Sequence, residues 1–381
     1  MVNVVVAPDG FGGTLTATEA AGAIADGWRR SRPDDRIVSR PMSDGGEGLL
    51  AVLGAAAGDA ARWHTVEVAG PLGHPVEAHL LERADGEVVI ESAQACGLHL
   101  LDPATRDPLR TTTYGVGQLL DAARRIGSRR LLVGLGGSAS VDGGAGALTG
   151  LGFRLRVADG SGLKIGGGEL HRVARAGRGW AASFADVEVV LLADVTATLA
   201  DAAPVFGPQK GASDAEVAQL DDGLRTWAGV AHRDLWTGGA PPPAEWPGSG
   251  AAGGLGFGLI AGLGAQLVAG STAVAAMIAL DAALDDADVV LTGEGRLDAT
   301  TTTGKVVAHV AARSRERAAD APVLAVVGRD ELDPGSRDGL GLHDVEPASP
   351  QGPGDDPADE LADAAARIAG RFVPRSGARS R

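Results

Sequence analysis

Short runs of branched apolar residues recur along this 381-residue chain, and several stop at a glycine beside an acid. Residues 2–7 (VNVVVA) lead to Asp9 and Gly10, and residues 37–40 lead to Asp44, Gly45, Gly46 and Glu47. Residues 187–192 lead to Asp194, and residues 289–291 lead to Thr292, Gly293 and Glu294, then Arg296, Asp298 and Lys305. Runs this short and continuous suit strands buried on both faces of a parallel sheet, where no polar alternation survives. An open α/β sheet places its ligand-binding loops at the carboxyl ends of such strands. Any one of these acids also reads as a turn or N-cap residue, but several at the same edge of one sheet point to a site.

Helical spacing follows most of these loops. Residues 16–30 read as a helix with Thr16 or Thr18 as N-cap and apolar positions at Ala20, Ala23, Ile24 and Trp28. Five parallel-type strands, near residues 4, 37, 290, 325 and 344, alternate with helices, which is a flavodoxin-like count. From residue 62 the period changes to short strands at 63–68, 76–82 and 87–91, joined by GPLGHP and ADG turns. The expected organisation is a discontinuous flavodoxin-like (Rossmann-like) domain, residues 1–65 and 261–381. A mixed α/β domain, residues 66–260, is inserted into it. The last residues, 374–381, read as a disordered basic tail.

Composition narrows the function classes. A net charge of −15 argues against nucleic acid and anionic membranes as partners, though an anionic substrate can bind at a local positive site. The single cysteine, Cys96, excludes an internal disulfide and a cysteine zinc cluster, and its apolar context reads as core. Residues 248–280 carry no charge, but glycine, alanine and polar interruptions make them helices packed inside a soluble protein rather than a membrane span. With no signal-peptide pattern at the start, the expected location is cytoplasmic. Of 34 basic residues only Lys164, Lys210 and Lys305 are lysines, and the last two sit in glycine-bounded motifs, GPQKG and GK. A lysine kept where arginine has otherwise taken over points to a site that wants a compact ammonium.

The glycine-dense stretch 134–146 (GLGGSASVDGGAG) is the strongest phosphate-cradle candidate, since successive backbone N–H groups can converge on anionic oxygens. Tight turns alone would also produce such a stretch. Lys305 is not a P-loop lysine, because that motif needs a glycine where Ala299 stands and Ser or Thr where Val306 stands. The eight histidines show no metal-ligand spacing and no G-x-S-x-G elbow is present. Carboxylates after strands, a phosphate cradle and isolated lysines are what phosphoryl transfer requires.

These motifs closely resemble, in order and over about residues 2–372, those of the bacterial class I glycerate kinase family. They are VVVAPDGFGGTLTATEAA, PMSDGGEG, RDPLRTTTYGVGQL, GLGGSASVDGGAGAL, VFGPQKGA, GAAGGLGFGL and LTGEGRLDATTTTGK. The resemblance implies two α/β domains, one flavodoxin-like and discontinuous, with the active site in the cleft between them. It implies ATP- and Mg²⁺-dependent phosphorylation of D-glycerate, usually to 2-phosphoglycerate. On residue chemistry, ATP phosphates are expected on Gly136, Gly137, Ser138, Asp142 and Gly143, with Lys305 or Lys210 offsetting charge. Asp44 or Asp194 is the expected general base. Asp9, Gly45, Gly46, Glu47, Arg296, Glu294 and Asp298 are expected around the substrate, with Glu294 and Asp298 also placed to hold Mg²⁺. Oligomerisation is left open.

The family pattern is not followed everywhere. Gly10 and Gly12 stand where the family usually has Ser and Lys, Val141 where it has Asn, Thr300 where it has Gln, and Thr196 to Thr198 replace an Asn-Pro segment. Loss of a lysine at position 12 would remove an electrostatic donor worth about 3–4 kcal/mol if it met the reacting charge. Two further readings therefore stand beside glycerate kinase: a kinase of the same fold for another small hydroxy acid, and a non-catalytic ligand-binding paralogue.

Overall fold

The computed structural model describes residues 1–179, 184–240, 242–348 and 356–374. The chain divides into two compact units, Met1–Asp44 with Ala51–Gly58 and Ser271–Arg381, and Gly45–Leu50 with Asp59–Gly270. The expected tail lies, from residue 375 onward, outside the described residues.

In the first unit, β1 (Asn3–Val6), β2 (Arg36–Ser39), β3 (Val289–Thr292), β4 (Val323–Val327) and β5 (Leu342–Pro347) form one sheet. Their order is β5-β4-β3-β1-β2 and every pair is parallel. This is flavodoxin-like topology, with the order reversing between β1 and β3. Every residue of β3 and β4 is buried, which is why these segments read as unbroken apolar runs. Helix α1 (Ala17–Ser31) begins at Thr16, which forms a capping box with Glu19: the Glu19 N–H donates to Thr16 Oγ1 and the Thr16 N–H donates to Glu19 Oε2. Its Ala20, Ile24 and Trp28 face the core. There they meet Val4, Val6, Leu291, Val326 and Ile368 of the closing helix Pro357–Arg371.

The second unit is built on a six-stranded mixed sheet. Strands Arg62–Ala69, Pro75–Glu82 and Val88–Glu91 form an antiparallel meander, and Arg130–Gly134, Glu188–Leu192 and Gln266–Val268 continue it in parallel. Because Arg62–Ala69 pairs along its whole length with Pro75–Glu82, residues 62–65 belong to this unit rather than to the flavodoxin-like part. Strand Gln266–Val268 likewise carries the unit past residue 261. It also divides the uncharged stretch, separating helix Ala251–Leu263 from helix Gly270–Met277. Among the described residues no helix is long and apolar enough to cross a membrane. Cys96 is fully buried in this unit's core, as its apolar context suggested.

Candidate active site

Five strands of the first unit run in one direction, so their carboxyl ends share an edge. A cleft of about 930 Å³ opens there. Asp9 follows β1, Asp44 follows β2, Glu294 follows β3, Arg329 follows β4 and Ala348 follows β5, and all five line it. Asp9 and Glu294 lie at the point where the strand order reverses, the position at which open α/β sheets bind ligands. The Asp9 N–H donates to Gly293 O at 2.8 Å, which ties the two loops together. The Asp9 carboxylate accepts the Gly10 N–H at 2.8 Å. Its pKa is nonetheless pushed up to about 8, chiefly by burial, then by the negative charge of Asp44, with a further push from Glu294. Lys305 opposes the rise only in part.

The residues after Glu294 form a connected polar chain. Thr301, fully buried, donates to Glu294 Oε1 at 2.5 Å. Burial still holds the Glu294 carboxyl above its ordinary range, against the Thr301 hydrogen bond and Lys305. Asp298 caps the short turn Ala299–Thr303 and accepts from Thr300 N–H at 2.8 Å and Thr300 Oγ1 at 2.6 Å. Its other oxygen pairs with Arg296 at 2.9 Å. These bonds, that of Thr300 first, hold the Asp298 carboxyl below its usual range. Lys305 Nζ in turn donates to Thr300 Oγ1 at 2.9 Å. The threonine run, which in sequence only fills a gap, thus supplies the hydrogen bonds that fix Glu294, Asp298 and Lys305. Arg296, Asp298 and Lys305 all line the cleft with Asp9, Asp44 and Glu294.

The other expected residues lie in the second unit, again after parallel strands. Gly45 has φ +91°, and a Cβ there would fall 2.8 Å from Leu192 Cβ, so only glycine fits against the strand that leads to Asp194. Gly46 packs on Gly136, where a Cβ would come within 2.6 Å of Gly46 Cα. Glu47 lies beside Gly137 and 3.9 Å from His99 Nδ1. Glu91, a buried carboxylate that sequence reasoning passed over, receives the N–H groups of Gly48 at 3.1 Å and Leu50 at 3.2 Å. It anchors the SDGGEG loop from behind. Its position as the last residue of a buried strand was the available signal.

Asp142, Gly143 and Lys210 are each held by internal hydrogen bonds. Asp142 is fully buried, and its carboxylate accepts from Thr113 N–H at 2.8 Å, Thr113 Oγ1, Thr112 Oγ1 and the N–H groups of Gly144 and Gly146. It occupies the start of the short helix Ala145–Gly150 that was expected to receive a phosphate. Gly143 is also spent internally, its N–H on Gly253 O and its carbonyl on Trp227 Nε1. Lys210, only 3% exposed, does not face solvent. It donates to Ser138 Oγ at 2.9 Å and Ser140 O at 2.7 Å, and burial lowers its pKa to about 8. Asp142 and Lys210 therefore shape the glycine loop from inside. Of the remaining expected phosphate-contacting residues, Gly137 is exposed and Gly136 half-buried, while Ser138 is buried.

No three His, Cys, Asp or Glu side chains among the described residues are grouped to hold a metal by themselves. Asp298 has one oxygen bonded to Thr300 and the other paired with Arg296, so it is fixed in place within the cleft. The excess negative charge that raises Asp9 does suit a divalent cation arriving with phosphates, which needs only one or two protein carboxylates.

A profile of the glycerate kinase family matches residues 4–369. The chain belongs to the glycerate kinase family. It is 40% identical to a glycerate kinase of Halalkalibacterium halodurans over 334 residues, covering 86% of each chain. It is 39% identical to the glycerate 2-kinase of Escherichia coli over 337 residues, covering 86% of this chain and 85% of that one. Among solved structures it matches a Salmonella typhimurium LT2 protein assigned as a glycerate kinase 2, with a TM-score of 0.79, 36% identity and 97% coverage of both chains. Membership in the family accounts for the ordered set of glycine motifs, and the cleft and the glycine loop are where those motifs lie.

Proposed function

We propose that this protein is an ATP-dependent kinase that phosphorylates a hydroxyl of D-glycerate, giving 2-phosphoglycerate and ADP in the cytoplasm. The observation that carries the mechanism is Asp9, a carboxylate with its pKa pushed up to about 8 at the switch point of the sheet, beside Lys305. A general base works best when its pKa lies near the operating pH. Asp9 takes the hydroxyl proton as the glycerate oxygen attacks the terminal phosphorus and the bond from that phosphorus to the ADP oxygen breaks. This assigns to Asp9 the role first given to Asp44 or Asp194.

Lys305, held by Thr300, offsets the charge of the transferring group. Gly136, Gly137 and Ser138 offer backbone N–H groups to phosphate oxygens, with Lys210 holding Ser138 from behind. Mg²⁺, when bound, neutralises phosphate charge, and Asp44 and Glu294 are the carboxylates that would hold it. Glu294 is oriented for this by Thr301.

The test is direct. Purified protein with Mg²⁺, ATP and D-glycerate should release ADP, and the product should run as 2-phosphoglycerate by mass spectrometry and phosphorus NMR. ADP release with another hydroxy acid but none with D-glycerate would overturn the substrate. Absence of turnover with a whole panel of hydroxy acids would overturn the reaction.

A further inference from the structure

The turn after β4 holds a residue that the mechanism leaves without a task. Arg329 lines the cleft and is exposed. Among the described residues its guanidinium forms no ion pair. Its neighbour Asp330 does not serve it, being paired with Arg337 at 2.9 Å.

Its backbone is closely fixed. Arg329–Asp330 and Arg296–Leu297 form a two-stranded parallel ladder in which Arg296 is the register partner of Arg329. The Arg329 N–H donates to Gly295 O at 3.0 Å and the Gly328 N–H to Glu294 O at 3.1 Å. Gly328 is required for this, since a Cβ there would fall 2.4 Å from Gly295 O.

Register partners on adjacent strands stand about 5 Å apart with their side chains on the same side. Two like charges in that relation repel unless something neutralises them. Arg296 has Asp298, at 2.9 Å. Among the described residues Arg329 has no such partner, and both guanidiniums belong to the same cleft. Arginine's planar fork suits a carboxylate or phosphate, which it can bind through two parallel hydrogen bonds.

We infer that Arg296 and Arg329 form an anion clamp in the first unit's cleft, binding an anionic oxygen group of a ligand through the exposed Arg329 guanidinium. Under the proposed kinase function, on which the choice of ligands rests, that group is the carboxylate of the hydroxy acid or a phosphate of the nucleotide. Arg329 is then a ligand-binding residue rather than a base, and its removal acts on ground-state affinity.

The test uses the full chain with Arg329→Gln and Arg329→Lys. Thermal unfolding of each should match the parent, since the side chain is exposed. Arg329→Gln should raise KM about tenfold or more for one ligand while kcat changes little, as loss of a charge-assisted bond implies. Arg329→Lys should recover part of that affinity. A rise confined to D-glycerate identifies the carboxylate, and one confined to ATP identifies the phosphate; either supports the clamp. If the parent protein shows no turnover, the kinase reading fails while the clamp is still tested by calorimetric titration with D-glycerate and with pyrophosphate. Binding of either that Arg329→Gln abolishes supports it. KM values for both ligands within twofold of the parent, or calorimetric binding of neither or unaffected by the substitution, would overturn it.

Discussion

Replacing Asp9 with asparagine should make the protein more stable and less active, and both effects should grow as pH rises from 5 to 8. The folded Asp9 has its pKa raised from 3.8 to about 8, so the native state holds a proton that the unfolded chain gives up. Stability is therefore lost as pH climbs from about 4 through 8, the window between the unfolded and folded values. Each pH unit in that window is worth about 1.4 kcal/mol, giving a ceiling of about 3 kcal/mol at pH 6 and about 5 kcal/mol at pH 8. Asparagine keeps the shape and the acceptor for the Gly10 N–H, and it has no charge to set against Asp44 and Glu294. Urea unfolding of parent and Asp9→Asn at several pH values should show the variant's advantage appearing near pH 5 and widening toward pH 8. Turnover should fall about 10²–10⁴-fold, the usual worth of a general base. The parent's kcat/KM should rise with pH up to about 8. A stability difference that stays flat or shrinks with pH would refute the electrostatic account. A variant that keeps most of its turnover would refute the role given to Asp9.

Three other substitutions probe the surroundings. Asp142→Ala removes the acceptor for five donor groups in a fully buried position and should cost about 3–5 kcal/mol, read by denaturant unfolding. Gly45→Ala should destabilise by about 2 kcal/mol or more, because φ +91° and the 2.8 Å approach to Leu192 both exclude a Cβ; a neutral result would contradict the packing of that loop. Thr300→Val frees Lys305 and should lower kcat/KM several-fold, a loss of about 1 kcal/mol, with Thr300→Ser retaining most of it.

The parts of the fold set by local periodicity were readable from the residues. The five parallel strands and the start of the first helix at Thr16 follow from short-range pattern. The cleft residues were readable for a related reason, because an acid after a buried strand has one place to go. What was not readable depends on where a side chain turns once the chain is packed. Asp142 and Asp9 have the same sequence setting, acid next to glycine. Thr112 and Thr113, some thirty residues away, claim the first, while only the Gly10 N–H and Lys305 temper the second. Lys210, read as a candidate catalytic cation, is buried and donates to Ser138 Oγ and Ser140 O, contacts that its sequence setting does not reveal.

The positions that depart from the family pattern are not equivalent in the structure. Val141 is fully buried, so its change is a matter of packing beneath the glycine loop. Thr198 caps the turn Leu199–Asp201 together with Asp201. Gly12 and Thr300 do line the cleft. Gly12 sits at φ +52° with open space where a side chain would begin, so the cation that the resemblance leads one to expect there has no replacement on that loop. Thr300 instead holds Lys305, and Arg329 adds a guanidinium on the strand-end turn that is register partner to Arg296. Positive charge in the cleft thus stands on the β3 and β4 loops rather than on the β1 loop. If Lys305 and Arg329 supply the cleft's working positive charge, restoring a lysine at position 12 should raise kcat/KM less than removing either of them lowers it.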